Sequence, residues 1–125
     1  MHQIVAGLYG FAEAHPRRTG GGLQPASLCA FAARLAALAY GVAASELTSV
    51  RRLPRRATTA RQVGIYLAHT TAGLPLVMVA DFFGRDRTTA AYACRLVEDR
   101  RDDGAFDAEL SELEDLLRAI SGDVQ

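Results

Sequence analysis

The stretch from Arg61 to Arg101 constrains the fold more than any other, because it carries the pattern of two helices joined by a tight turn. Pro75 suits the first turn of a helix, and the apolar residues after it recur three or four positions apart until Gly84 breaks the run. Asp86 or Thr88 can cap a second helix, which we expect to run to about residue 101. This stretch therefore predicts a helix-turn-helix.

The remaining apolar residues also recur with helical periodicity, and no segment alternates as a strand would. Besides the helix-turn-helix, the expected elements are a helix from a cap at Ser27 to Gly41, a helical turn over Ala43–Ser49, a helix over about Thr59–Thr71, and an acidic-faced amphipathic helix over Phe106–Ile120. We therefore expect an all-α fold, with one compact multi-helix domain at residues 25–121. Residues 1–24 include three consecutive glycines and are expected to form a flexible arm with room for a short helix, while residues 122–125 are expected to form a tail.

The charges are unevenly distributed, although the net charge of the 125 residues is zero. Residues 1–50 carry +1, residues 51–101 carry +6 and residues 102–125 carry −7. The central block predicts an anionic partner, and the acidic end predicts contact with solvent or with the basic block. All 14 basic residues are arginine. Arginine favours bidentate binding of phosphate and guanine, although the base composition of the genome explains this bias equally well.

The second helix of the predicted helix-turn-helix begins with guanidinium groups and short polar side chains. In such modules this end enters the major groove of DNA, where arginine can bind guanine O6 and N7 and a threonine methyl can pack on thymine. Asp86 either accepts from cytosine N4 or caps the helix. An isolated RDR triplet usually belongs to a solvated surface helix, but that explanation leaves the preceding turn and the upstream arginines unexplained. The expected major-groove residues are Arg85, Asp86, Arg87, Thr88 and Thr89.

The sequence FGRDRTTAAYACRLVE, at residues 83–98, resembles the signature of the C-terminal DNA-binding domain of the bacterial replication initiator DnaA. The resemblance spans roughly residues 27–121. The sequence SVRRLPRRATTARQ, from Ser49, is expected to contain a basic loop, because Pro54 interrupts any helix and four arginines flank it. In the DnaA family the segment that corresponds to residues 85–89 reads the major groove and an arginine of the basic loop enters the minor groove. The resemblance assigns this loop role to Arg52 or Arg55. The minor-groove or phosphate contacts expected from the basic loop and the resemblance are Arg51, Arg52, Arg55, Arg56, Arg61, Gln62, Leu76 and Val77.

The chain departs from the family pattern at and beside the residues that are expected to determine which DNA sequence is bound. One of the two glycines before Arg85 is missing, Arg87 and Tyr92 each replace a histidine, and Ala90 replaces a valine. A shorter turn re-aims the recognition helix, and an arginine adds length and permanent charge. DNA binding is therefore expected without implying binding to the usual initiator sites. No GxxxxGK[ST] phosphate loop occurs, so we expect neither an ATPase module nor a nucleotide cofactor.

Cysteine and histidine give no sign of a metal site or a disulfide. Cys29 and Cys94 each lie in an apolar helical pattern, which predicts small buried thiols in a reducing compartment. His2, His15 and His69 lie far apart and lack the short spacings that zinc sites use. No metal and no other cofactor is therefore expected.

Catalysis and membrane association also lack support. No histidine lies near a nucleophile, and Glu112, Glu114 and Asp115 have the pattern of a solvated helix face, so we expect no enzyme. The run VAGLYGF followed by AEA imitates a signal peptide, but no positive residue precedes it. No stretch approaches the roughly 18–20 apolar residues of a membrane span. We expect a cytoplasmic protein of the bacterial nucleoid.

The sequence thus predicts sequence-specific binding to double-stranded DNA, without ATPase activity, in the control of replication initiation or of transcription. The alternative is a protein-interaction module that keeps the fold but has lost DNA binding. Its partner would bind the acidic C-terminal helix or the N-terminal arm.

Overall fold

The structure is a computed structural model that describes residues 23–122. The expected N-terminal arm, apart from its last two residues, and most of the expected tail lie outside the described residues. The described residues form six α-helices and one π-helical turn without a strand, which confirms the all-α fold. The elements are α1 (Pro25–Tyr40), α2 (Ala44–Leu47), α3 (Arg55–Tyr66), the π turn (Leu67–Thr71), α4 (Leu76–Phe82), α5 (Arg87–Arg100) and α6 (Gly104–Ser121).

The first helix begins earlier than the sequence suggested. Pro25 occupies the first helical position, where its fixed φ and missing N–H suit a helix start, and Gln24 is the N-cap residue. Ser27 is buried inside α1, so the prediction that it caps the helix is wrong. Gly41 ends α1 as expected, with a left-handed φ of 66° that glycine adopts without strain.

The third helix also begins earlier than expected. We predicted a start near Thr59, but α3 starts at Arg55, directly after its N-cap residue Pro54. Arg55 and Arg56 therefore lie in the first turn of α3 and not in the basic loop. At its other end α3 continues into the π turn, which closes when the Ala72 amide donates to the Leu67 carbonyl at 2.9 Å.

Small residues bring the helices of the core close together. α1 packs mainly against α3, and its buried face consists largely of alanines. In α3, a Cβ added to Gly64 would lie 3.2 Å from the ring of Phe83, the residue that ends α4 and is fully buried. Substitution of Gly64 would therefore displace the Phe83 side chain, which is buried beneath the turn of the helix-turn-helix.

The last helix buries a carboxylate that we expected to be solvated. α6 places Phe106, Leu110 and Leu117 in the core as predicted, whereas Ile120 is partly exposed. Glu114 is only 8% exposed, so the prediction that it belongs to the solvated acidic face is wrong. Glu114 can be buried because the positive charge of Arg101, just before α6, pairs with its carboxylate.

Arg101, at the C-terminal cap of α5, joins three elements. Its guanidinium donates to both carboxylate oxygens of Glu114, at 3.2 and 3.1 Å, and to the Tyr66 hydroxyl at 3.1 Å. The Glu114 carboxylate also accepts from the Thr71 hydroxyl at 2.8 Å. Tyr66 in turn donates to Glu98 at 2.6 Å. The hydrogen bonds of Arg101 to Glu114, foremost, and to Asp107 and Tyr66 raise the pKa of Arg101 further above its usual value. The network fastens α6 to the end of α5 and to the π turn.

Both cysteines are free. Burial raises the pKa of the Cys29 thiol to about 11, and burial also raises that of the partly buried Cys94, so both stay protonated near neutral pH.

Within residues 23–122, no three histidine, cysteine or acidic side chains come close enough together to hold a metal ion. Nor does any helix in that part of the chain combine the length and apolarity needed to cross a membrane.

Candidate nucleic-acid interface

The turn between α4 and α5 sets the direction of the predicted recognition helix. Gly84 adopts a φ of +66°, which a residue with a side chain rarely adopts, and an added Cβ there would lie 3.6 Å from the Thr48 carbonyl oxygen. The Arg85 amide then donates to the Ala80 carbonyl at 2.9 Å, which closes the end of α4. A single glycine is therefore sufficient for a closed turn in this chain.

Asp86 caps α5. Its Oδ1 accepts from the Thr89 backbone amide at 2.7 Å, and the hydrogen bonds from Thr89 lower the pKa of the exposed Asp86 carboxyl. A negative charge at this position also interacts favourably with the positive end of the helix dipole. Of the two roles that we considered for Asp86, capping is the one the geometry shows, and reading a base stays a prediction.

The first turn of α5 presents a free guanidinium group. Arg87 and Thr88 are exposed, and Arg87 makes no hydrogen bond or ion pair within the described residues. They line a shallow cleft of about 290 Å³ together with Leu76, Ala91 and Arg95. A cation without an acidic partner is available to an external anion or to a base edge.

Arg85 is oriented differently from Arg87, although only two residues separate them. Its guanidinium donates to the Ser49 carbonyl at 2.8 Å, to Gly84 at 3.1 Å and to Phe83 at 3.3 Å. Ser49 begins the predicted basic loop, of which residues 49–54 lie outside the helices in the structure. Arg85 therefore joins the start of the basic loop to the turn of the helix-turn-helix.

The expected minor-groove and phosphate residues differ in exposure: five are exposed and three are partly buried. Arg51 and Arg52 are exposed in the basic loop, and Val77 is exposed at the start of α4. Arg55 and Arg56 are exposed in α3 and line a different cleft from Arg87. The partly buried residues of the set are Arg61, Gln62 and Leu76.

Part of the Arg61 guanidinium is buried without a partner, as is part of the Arg34 guanidinium in α1. The Nε atom of Arg61 has no hydrogen-bond acceptor, and burial followed by the charge of Arg85 lowers the pKa of Arg61. The positive charge of Arg85, in the turn, thus repels that of Arg61, in α3. An anion near them would relieve the repulsion.

Sequence reasoning left Arg95 out of the site, although it shares the cleft with Arg87. Its guanidinium lies 5.6 Å from the Tyr92 ring centroid, at the exposed face of α5. The signal was present in the sequence, because Arg87, Ala91 and Arg95 are spaced four residues apart and must share one helix face.

Comparison with known proteins decides the family. The model of the bacterial DnaA protein helix-turn-helix family matches residues 33–97, from within α1 to near the end of α5. The chain belongs to this family. Membership confirms the resemblance seen in the sequence and implies DNA binding, because the DnaA helix-turn-helix is a DNA-binding domain and not a catalytic one.

A relative supports the same assignment. The chain is similar to the chromosomal replication initiator protein DnaA of Pseudothermotoga lettingae, with 29% identity over 85 residues. These residues make up 68% of this chain but only 19% of the relative. The chain thus spans about a fifth of the length of the curated DnaA protein that it matches.

Proposed function

We propose that this DnaA-type domain binds double-stranded DNA sequence-specifically, without ATPase activity, and so regulates replication initiation or transcription. The observation that carries the proposal is the capped start of α5, where the exposed Arg87 has no partner in the described residues and lies beside Thr88. Such an end can enter the major groove, as the second helix of other helix-turn-helix modules does. The absence of a phosphate-loop motif from the 125 residues supports the lack of ATPase activity.

Within the proposed interface, the residues have different roles. Arg87 and Thr88 read base edges, whereas Asp86 orients the helix start through the Thr89 amide. Arg85 donates three hydrogen bonds to backbone carbonyl oxygens. Its main role is therefore to fix the position of the basic loop relative to the recognition helix.

The phosphate and minor-groove contacts surround this end. Exposed Arg51 and Arg52 suit a loop that enters the minor groove or follows the backbone. A phosphate near the partly buried Arg61 would offset the repulsion between its charge and that of Arg85. The other proposed contacts are Arg55, Arg56, Gln62, Leu76 and Val77. DNA binding would place the protein in the nucleoid, and no catalytic role is proposed.

Titration of a labelled duplex at several salt concentrations tests the proposal. If about five arginines neutralise phosphates, log affinity falls against log salt with a slope near −4 to −5, at about −0.9 per contact. Selection of bound sequences from a random duplex pool then identifies the target, and a motif like the initiator's would point to replication control. Absence of salt-sensitive binding would contradict the proposal and favour a protein-interaction module that uses the acidic face of α6.

A further inference from the structure

A second basic cleft, of about 540 Å³, lies where three helix ends meet. It is formed by the C-terminal end of α1, the N-terminal turn of α3 and the C-terminal end of α5. Its lining residues are Tyr40, Arg55, Arg56, Thr59 and Arg100. Three guanidinium groups therefore converge at a place that the recognition helix reaches only with its far end.

The cleft has an excess of positive charge. Arg55, Arg56 and Arg100 are exposed, and none forms an ion pair with an acidic residue in the described part of the chain. Glu109 lies near Tyr40 but does not line the cleft: burial raises the pKa of the Tyr40 hydroxyl, Arg100 opposes that rise and Glu109 adds to it. The residues that line the cleft carry three guanidinium groups and no carboxylate, which leaves the cleft able to bind an anion.

Arg100 is held in place before any ligand binds. Its Cζ atom lies 4.0 Å from the centroid of the Phe106 ring, so the guanidinium stacks on that ring. A guanidinium stacked on a ring keeps N–H groups at its edge for a further acceptor. The start of α3 adds to the attraction, because Pro54 provides no side-chain cap for the first backbone N–H groups.

We propose that this cleft binds a phosphate of the DNA backbone that flanks the base pairs read by α5, with Arg100 as an additional contact. The inference rests on the proposed function. Arg100 follows Arg87 by 13 residues in one helix, which separates them by about 20 Å along its axis. A phosphate bound there belongs to a part of the duplex several base pairs away from the base edges at the tip of α5. Arg55 and Arg56 share it from α3.

Binding of the selected target duplex to Arg100→Gln tests this assignment. Glutamine keeps most of the side-chain length over Phe106 but removes the charge. Relative to the unmodified protein, we expect roughly three- to fivefold weaker binding at low salt and a salt slope shallower by about 0.9. The preference between target and altered bases should stay the same. The matched control is Arg118→Gln, an exposed arginine of α6 outside the cleft, which should bind as the unmodified protein does.

Trimming the duplex locates the phosphate. Base pairs are removed step by step from one end of the target duplex. Once the bound phosphate is removed, the affinity of the unmodified protein should fall by the same three- to fivefold. On that trimmed duplex, Arg100→Gln and the unmodified protein should bind with equal affinity. Arg100→Lys, which keeps the charge, should retain most of the salt slope. Trimming uses the unmodified protein, so it applies even if Arg100→Gln is unstable.

Equal binding and equal salt slopes for Arg100→Gln and the unmodified protein on the full-length duplex would overturn the inference while leaving the proposed function intact. So would a deficit of the variant that persists on every trimmed duplex that still binds. A loss of base preference in Arg100→Gln would also contradict it. Failure of the unmodified protein to bind duplex would instead contradict the proposed function.

Discussion

The two ends of α5 use the same residue type in opposite ways. At its start, Arg87 is exposed and has no partner in the described residues. Just past its end, Arg101 is bound by Glu114, Asp107, Ser111 and Tyr66. Because both are arginines, the difference comes from the surroundings and not from the side chain. The partner at hand decides whether a guanidinium group stabilises the fold or remains available for a ligand.

The comparison also shows how the free end is supported. The proposed recognition helix has an unpaired cation at one end, and the network around Arg101 fixes its other end against α6 and the π turn. We therefore expect changes at the two ends to have separable effects, with stability lost at one end and DNA recognition lost at the other.

Removal of Arg101 should have the largest effect. The Arg101→Met variant leaves the Glu114 carboxylate, whose side chain is only 11% exposed, without its counter-charge. We expect the free energy of unfolding to fall by about 2–4 kcal/mol, measured by urea denaturation. The control Arg118→Met removes an arginine paired with the largely exposed Asp115 and should cost less than about 1 kcal/mol. Equal losses in both variants would show that the network around Arg101 stabilises the fold no more than an exposed ion pair does.

Replacement of Arg87 should alter recognition and spare stability. In Arg87→Ala we expect discrimination between the target and a duplex altered at the contacted base to fall by about 1–3 kcal/mol, the value of a good bidentate contact. Competition binding with the two duplexes measures it, and urea denaturation should show an almost unchanged free energy of unfolding. Retained discrimination would exclude Arg87 as a base reader.

Replacement of Arg56 should weaken binding without changing base preference. Arg56 is exposed in the first turn of α3, so its contact is expected to be with a phosphate. We expect Arg56→Gln to bind target and altered duplexes more weakly by the same factor, with the salt slope reduced by about 0.9. An effect indistinguishable from that of Arg87→Ala would refute the division of roles between the two arginines.

Asp86 provides the finest test, because it separates capping from base reading. Asparagine also caps helices, so Asp86→Asn should keep stability and target preference, whereas Asp86→Ala should lower the Tm. The pKa of Asp86 is lowered in the folded protein, so its carboxylate stabilises the fold above the ordinary aspartate pKa of about 3.9. That contribution is lost as the pH falls through the lowered pKa. The Tm difference between Asp86→Ala and the unmodified protein should therefore shrink in acid. A changed base preference in Asp86→Asn would instead show that the carboxylate reads DNA.

Local rules predicted the fold well where a single residue dictates the backbone. Gly41 and Gly84 end helices because only glycine adopts a positive φ freely, and Asp86 caps the next helix because its side chain reaches the Thr89 amide. The same rules misplaced the starts of α1 and α3, where proline begins a helix as readily as it interrupts one.

What sequence reasoning missed depends on tertiary contact. Glu114 looked solvated because its neighbours in sequence are acidic, while its partners Arg101 and Thr71 come from other elements. The cleft around Arg100 combines residues 40, 55 and 100, which no local pattern connects. The tip of α5 was predictable for the opposite reason, because its residues are consecutive.

The bond from Arg85 to the Ser49 carbonyl has a consequence for how a target would be selected. It gives the basic loop and the recognition helix a fixed separation, so that neither can adjust alone to a duplex of different shape. We expect such a pair to respond to groove width and helical twist as well as to the identity of bases. A sequence that narrows or unwinds the duplex between the two contacts would then change affinity without altering a single contacted base.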